Sequence, residues 1–226
     1  MFLVDFYRST IGKKIIMGIT GLIGIGFVII HMAGNLQVFI GPAKINGYGT
    51  LLHGPLAELT WLIRIVLIVS VILHVTMAYQ LTRISAAARP VGYQKKQPQV
   101  ATLASRTMKW GGVLLLVFIV VHLMHFTTEQ IDPAGWRGMS DLHGDRDVYG
   151  NIVGSFRIWW VSAFYIIAML ALGLHLYHGA WSSIRTLGYA KSTPNPLHRK
   201  IALAVAGIVW LGFTIIPLAV LAGFLR

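Results

Sequence analysis

Nine histidines stand in this chain of 226 residues, and six of them, His31, His74, His122, His125, His175 and His178, lie inside long apolar runs. An imidazole is a poor solute for lipid, and ionisable side chains at membrane depth usually line a pathway or hold a cofactor. The neutral ring offers one nitrogen lone pair and one N–H. The chemistry open to these residues is therefore metal ligation, hydrogen bonding between helices or proton transfer. There is no cysteine, which removes disulfides, iron–sulfur ligation and thiolate zinc from consideration. None of the seven acids sits centrally in an apolar run, whereas proton relays through membranes normally include one.

The elements that must position these histidines follow from length and composition. The chain is 56% hydrophobic and only 12% charged, with a mean hydropathy of +0.70. A soluble domain of this size is about 25% charged. Five apolar runs, at about 12–40, 57–84, 107–128, 157–187 and 199–225, each approach the roughly 20 residues that cross a bilayer as a helix. Pro217, in the fifth, is tolerable there as a kink. The expected fold is an all-α integral membrane protein of five transmembrane helices in a single domain, residues 1–226. The N-terminus has no apolar h-region followed by a cleavage site, so the first helix is expected to stay in the mature protein.

Charge orients the bundle. The N-terminal segment carries Arg8, Lys13 and Lys14 against Asp5. The second connection carries Arg83, Arg89, Lys95, Lys96, Arg106 and Lys109, and the fourth Arg185, Lys191, Arg199 and Lys200, neither with an acid. The first connection holds only Lys44 and Glu58, and the third is rich in acids: Glu129, Asp132, Asp141, Asp145 and Asp147. Basic loops stay inside, so the N-terminus is expected in the cytoplasm and the C-terminus outside. The net charge of +12 then marks a cytoplasmic face for anionic lipid and a soluble partner rather than for nucleic acid.

Depth sorts the histidines. At 1.5 Å per residue His74 lies ~14 Å from Arg83 and His175 ~15 Å from Arg185, whereas His31 is ~25 Å from Lys14 and His122 ~20 Å from Lys109. The second and fourth helices thus place a histidine in the inner half, and the first and third in the outer half. Zinc or copper needs three or four donors at one point. Two levels with two imidazoles each suit two haems with axial histidines in a bundle core, the fifth helix lying peripheral to it. Within the pairs, His125 stands three residues from His122, and His178 three from His175, as alternates. Gly12, Gly18, Gly21, Gly24, Gly26 and Gly34 leave the first helix a slim face for close packing, and Gly179 lies four residues after His175.

Four stretches, "TGLIGIGFVIIHMAGNLQVF", "VILHVTMAYQLTRISAAARPVGY", "FIVVHLMHF" and "GLHLYHGAWSSIRTLGY", recur in the order seen in one family. Over nearly its full length the chain resembles the five-helix, dihaem cytochrome b membrane anchor of succinate:quinone oxidoreductases, the succinate dehydrogenases and fumarate reductases. The resemblance implies that His175, with Gly179 after it, is the fourth-helix ligand and that His122 is the third-helix one. It pairs His74 with His175 for the inner haem and His31 with His122 for the outer.

It further implies two haem b groups, a quinone (menaquinone for dihaem anchors) as substrate, and flavoprotein and iron–sulfur subunits on the cytoplasmic face of a bacterial-type inner membrane. A higher oligomer of the whole complex is compatible with it. The expected role is to carry electrons from succinate to quinone, with fumarate reduction as the alternative direction. A haem-free transporter or structural anchor is the rival from another class. Arg83, Lys109 and Arg185 are the expected propionate partners, and His53, Glu58 and Glu129 the candidates at the quinone. His143 and His198 are assigned no role. Some family members carry a glutamate two residues before the fourth-helix ligand, implicated in proton movement; this chain has Gly173 there.

Overall fold

The computed structural model describes residues 2–88, 91, 102–141, 144, 146–189 and 196–226. Arg89, Lys95, Lys96, His143, Asp145 and Lys191 lie outside the described residues. Among the described residues the chain is helical: α1 (Phe2–Arg8), α2 (Thr10–Asn35), α3 (Pro42–His53), α4 (Ala57–Ala87), α5 (Leu103–His122), α6 (Val148–Arg157), α7 (Trp159–Thr186) and α8 (Pro196–Leu221). Five stretches are long and apolar enough to cross a membrane: Thr10–Phe39, Ala57–Ala87, Leu103–Thr127, Trp159–Thr186 and Leu197–Leu221. They fall within a few residues of the expected spans, and the chain is an all-α, multi-pass membrane protein.

Local chemistry sets the helix starts. Ser9 Oγ accepts from the Gly12 amide at 2.9 Å and divides α1 from α2. Thr102 Oγ1 accepts from Ser105 N at 3.2 Å to open α5, and Asp147 Oδ1 accepts from Gly150 N at 2.9 Å to open α6. Each side chain satisfies an amide that would otherwise lack a partner in the first turn. Lys13, on the first turns of α2, is buried because its ammonium donates back to the Tyr7 and Arg8 carbonyls at 3.0 and 2.7 Å.

Packing makes α2 and α7 the spine. α2 lies against α4 and α7, and α7 against α5 and α8, while α4 and α5 form no comparable interface. Along the α7–α8 contact, Ala206 of α8 is buried with Leu176 of α7, and Ala219 with Val161 and Tyr165. Between helices in lipid little hydrophobic drive exists, and small residues gain association through close approach. Pro217 is fully buried within α8. Ile30, Leu62, Val113 and Leu203 are among the many large apolar side chains left exposed, on the faces that lipid would cover.

The end of the bundle away from the basic loops is closed by two short helices that the apolar pattern did not announce. α3 starts at Pro42 after Gly41, whose φ of +126° favours glycine. α6 buries Ile152, Val153 and Phe156 against Val38, Val161 and Tyr165. Buried Asn46 ties them together: its Nδ2 donates to Asp141 and Asp147 at 3.0 and 3.3 Å, and its Oδ1 accepts from Tyr149 N at 2.9 Å. Asn46→Leu is expected to lower stability by about 1–3 kcal/mol, since it strands buried polar groups; a lowered melting temperature in detergent would register it.

The acidic loop has its own order. The amides of Trp136 and Arg137 each donate to the Asp132 carboxylate at 2.8 Å. Desolvation, the largest single influence, pushes that carboxyl up, but these amides, with Gly135 N and the Arg137 charge, together outweigh it and hold it below its ordinary 3.8. A lowered value means the turn is supported above that pH and loses the support as pH falls through the lowered value. Faster amide exchange at Trp136 and Arg137 under those acid conditions is the expected readout.

Candidate functional site

The four helices α2, α4, α5 and α7 bring their histidines together in two pairs. His31 on α2 and His122 on α5 face each other with ring centroids 5.8 Å apart and planes at 78°. His74 on α4 and His175 on α7 do so at 6.1 Å and 55°. Two imidazoles bound to opposite sides of one metal ion, with bonds of about 2 Å, have ring centroids roughly 6 Å apart. Both pairs have that separation. Among the described residues no cluster of three or more His, Asp or Glu converges, so a zinc-type donor set is not assembled.

The state of each ring bears on whether it could hold an iron. His74 Nδ1 lies 3.1 Å from the Met17 carbonyl and 3.3 Å from Thr20 Oγ1. A carbonyl can only accept, so Nδ1 carries the hydrogen and Nε2 keeps the lone pair, the arrangement common to histidine ligands. His175 has a buried Nδ1 with no hydrogen-bond partner among the described residues, so that nitrogen is not committed to another side chain or to the backbone. Gly21 and Gly112 keep space beside these rings: a Cβ on Gly21 would lie 3.3 Å from His74 Cε1, and one on Gly112 3.8 Å from His175 Cε1. His31 stacks on Phe27 at 5.3 Å and meets Phe213 of α8 at 5.8 Å, while the Asn35 amide reaches its ring nitrogens at 3.3 Å. The residues present fit two groups held by axial histidines.

The alternates are in different surroundings. α5 ends at His122 and runs into one turn of π-helix, Leu123–Thr127, closed by Thr128 N donating to the Leu123 carbonyl at 2.8 Å. His122 and His125, three residues apart at this junction, both lie against Tyr165, with ring centroids 6.0 and 5.8 Å from its ring. His125 is buried with both ring nitrogens engaged, at 2.9 Å from Tyr165 Oη and 2.9 Å from Ser155 Oγ. It has no lone pair to offer. His178 lines a cavity of about 200 Å³ with Tyr177, Trp181, Arg185, Arg199, Thr102 and Ser105, toward the basic end of α7.

The remaining expected residues are scattered. Arg185 and Arg199 hold their guanidinium groups over the Trp181 ring at 5.5 and 4.9 Å, and Arg83 lies over Tyr79 at 6.0 Å. Lys109 borders an open cleft with Ser85, Ala86 and Ala88. At the opposite end His53 is exposed and bonded to the Gly49 carbonyl at 2.9 Å, and Glu58 is exposed on the first turn of α4. Glu129, at φ +52°, is paired with Arg146 and also accepts from Gly138 N at 3.3 Å. It is part of the loop's own scaffold.

Two features went unnoticed in the sequence. Arg64 stands within α4 as the one charge between Glu58 and Arg83, with its guanidinium 5.0 Å from the Trp61 ring; a lone cation in an apolar run was the available signal. Tyr165 and Ser155, the partners of His125, had no signal beyond being polar residues in or near a span. At Gly173, an added Cβ would lie 3.3 Å from Trp210 Cβ. Gly173→Glu is therefore expected to overpack the α7–α8 contact and lower stability by about 1–3 kcal/mol, measurable as an earlier thermal transition in detergent.

A family model described as the succinate dehydrogenase/fumarate reductase transmembrane subunit matches residues 85–215, more than half of the chain. His122, His125, His175 and His178 fall within the match, and His31 and His74 precede it. No curated protein and no solved structure matches. The match takes in the third and fourth membrane-length helices and most of the fifth, and it shows one assignment: the chain belongs to the family of succinate dehydrogenase/fumarate reductase transmembrane subunits.

Proposed function

We propose that this chain is the dihaem cytochrome b anchor of a succinate:quinone oxidoreductase, working in the direction of succinate oxidation and menaquinone reduction. The observation that carries the reading is the meeting of four histidines from four helices, two by two, at 5.8 and 6.1 Å. His74 and His175 are the proposed axial ligands nearer the basic loops, and His31 and His122 those of the far pair. When bound, haem b supplies reversible one-electron transfer at iron. The chain's own part is to fix the tautomer of His74 through the Met17 carbonyl and to keep water away with the phenylalanines around His31 and His122.

The basic connections are proposed to face the cytoplasm of a bacterial-type membrane and to dock the flavoprotein and iron–sulfur subunits. Arg83, Lys109 and Arg185 stand on that side as partners for propionates. His53 and Glu58 remain the proposed proton-exchanging groups for quinone on the far side, with Glu129 held by Arg146 beside them in the assignment. Adding succinate to membranes that contain the assembled complex should reduce the b haems, and menaquinone should reoxidise them. Haems that dithionite reduces and succinate leaves oxidised would sink this reading.

A further inference from the structure

Behind His122 runs a buried chain of polar groups whose direction can be worked out. The Ser155 hydroxyl donates to Asn151 Oδ1 at 3.1 Å, one turn back on α6. Its hydrogen committed, Ser155 Oγ serves as the acceptor toward His125 Nε2, 2.9 Å away. Nε2 is then the protonated nitrogen of His125, and Nδ1 is bare. The Tyr165 hydroxyl donates to that Nδ1 at 2.9 Å. This leaves the phenol oxygen facing His122 Nδ1, 3.5 Å away, with only lone pairs to offer. Every N–H and O–H in the series therefore points away from His122. The series is deeply buried: Ser155 is 0% exposed, His125 4%, Tyr165 6% and Asn151 8%. Water cannot easily replace any member, and in such surroundings bonds in series polarise one another.

We infer that the chain Tyr165–His125–Ser155–Asn151 is a tautomer lock on His122, holding its hydrogen on Nδ1 and leaving Nε2 as the nitrogen free to ligate. The inference rests on the haem reading and deepens it. Tyr165 is a positioning residue, since it acts through His122. The lock sits where α5 passes into the π turn Leu123–Thr127: His122 and His125 both lie against the Tyr165 ring there, and His122 also faces His31. An acceptor on the N–H of an axial imidazole makes the ring more electron-rich and favours ferric iron. The lock should hold the potential of the far haem down.

The test is a redox titration of the b haems in the intact complex, carried out on wild type, Tyr165→Phe and Ser155→Ala. Tyr165→Phe keeps the ring contacts with Phe118 and Phe156 and removes only the hydroxyl. Both haems should remain, the potential that disappears in His31→Ala should move upward, and the other should stay. Ser155→Ala does not touch His122 and should move the same potential, in the same direction, by less. Solid-state nitrogen spectra of histidine-labelled chain, which need no haem, should place His122 in the Nδ1–H form and His125 in the Nε2–H form. Unchanged potentials in both variants, or His122 found as the Nε2–H tautomer in the haem-free chain, would overturn the lock. A wild-type complex without haem would instead overturn the underlying reading, and the nitrogen spectra would still decide the hydrogen-bond order.

Discussion

Replacing His175 with alanine is expected to remove one haem per chain and leave the other in place. The two pairs share no histidine: His175 meets His74 at 6.1 Å, and His31 meets His122 at 5.8 Å. Changes to groups that merely orient a metal ligand weaken metal sites by about 10–100-fold, so loss of an axial ligand should weaken binding of that haem by more than ~100-fold. His74→Ala should lose the same haem, and the double variant should lose nothing further, because the two residues act as one unit. His31→Ala and His122→Ala should each remove the other haem. His178→Ala should keep both. Haem per chain, measured with the absorbance spectrum of each purified variant, checks all six. Succinate-driven quinone reduction should fall with loss of either haem if electrons pass through both.

Gly21→Leu is expected to empty the same site without touching any histidine. A Cβ on Gly21 would already sit 3.3 Å from His74 Cε1 and 3.6 Å from Nδ1. The branched end of leucine would then occupy the position of the ring. His74 would have to swing away from the Met17 carbonyl that fixes its tautomer at 3.1 Å. Gly21→Ala should be milder, shifting the imidazole by a few tenths of an ångström and moving the haem's potential rather than its occupancy. Haem quantification combined with a redox titration separates the two outcomes. Retention of both haems in Gly21→Leu, with unchanged potentials, would mean that His74 is not held where the bundle places it.

Much of this architecture was legible because lipid imposes simple demands. A span needs about 20 apolar residues and a satisfied backbone, which marks helices regardless of sequence detail. Histidine in such a run is conspicuous, and 1.5 Å per residue converts its position into depth, which separated His74 and His175 from His31 and His122. What the sequence withheld lies where those demands relax. α3 and α6 are too short and too polar to register as spans, and they exist because Asn46, Asp147 and the apolar face of α6 close the far end of the bundle. The π turn could not be foreseen, since its extra residue is stabilised by partners on α6 and α7 rather than by local propensity. His125 therefore stood as an alternate to His122 until its two nitrogens were seen to be occupied. Glu129 drew notice as an outer-side acid that could serve the quinone, yet its ion pair with Arg146 comes from a loop whose folding no periodicity announces.

The central claim is that the two histidine pairs each carry one haem. A dithionite-reduced minus oxidised absorption spectrum of the purified protein, with haem counted per chain, tests it most directly. The account predicts two low-spin b-type haems per chain, one lost in His74→Ala or His175→Ala and the other in His31→Ala or His122→Ala. A chain that carries no haem, or one whose four single alanine variants all keep two, would contradict it.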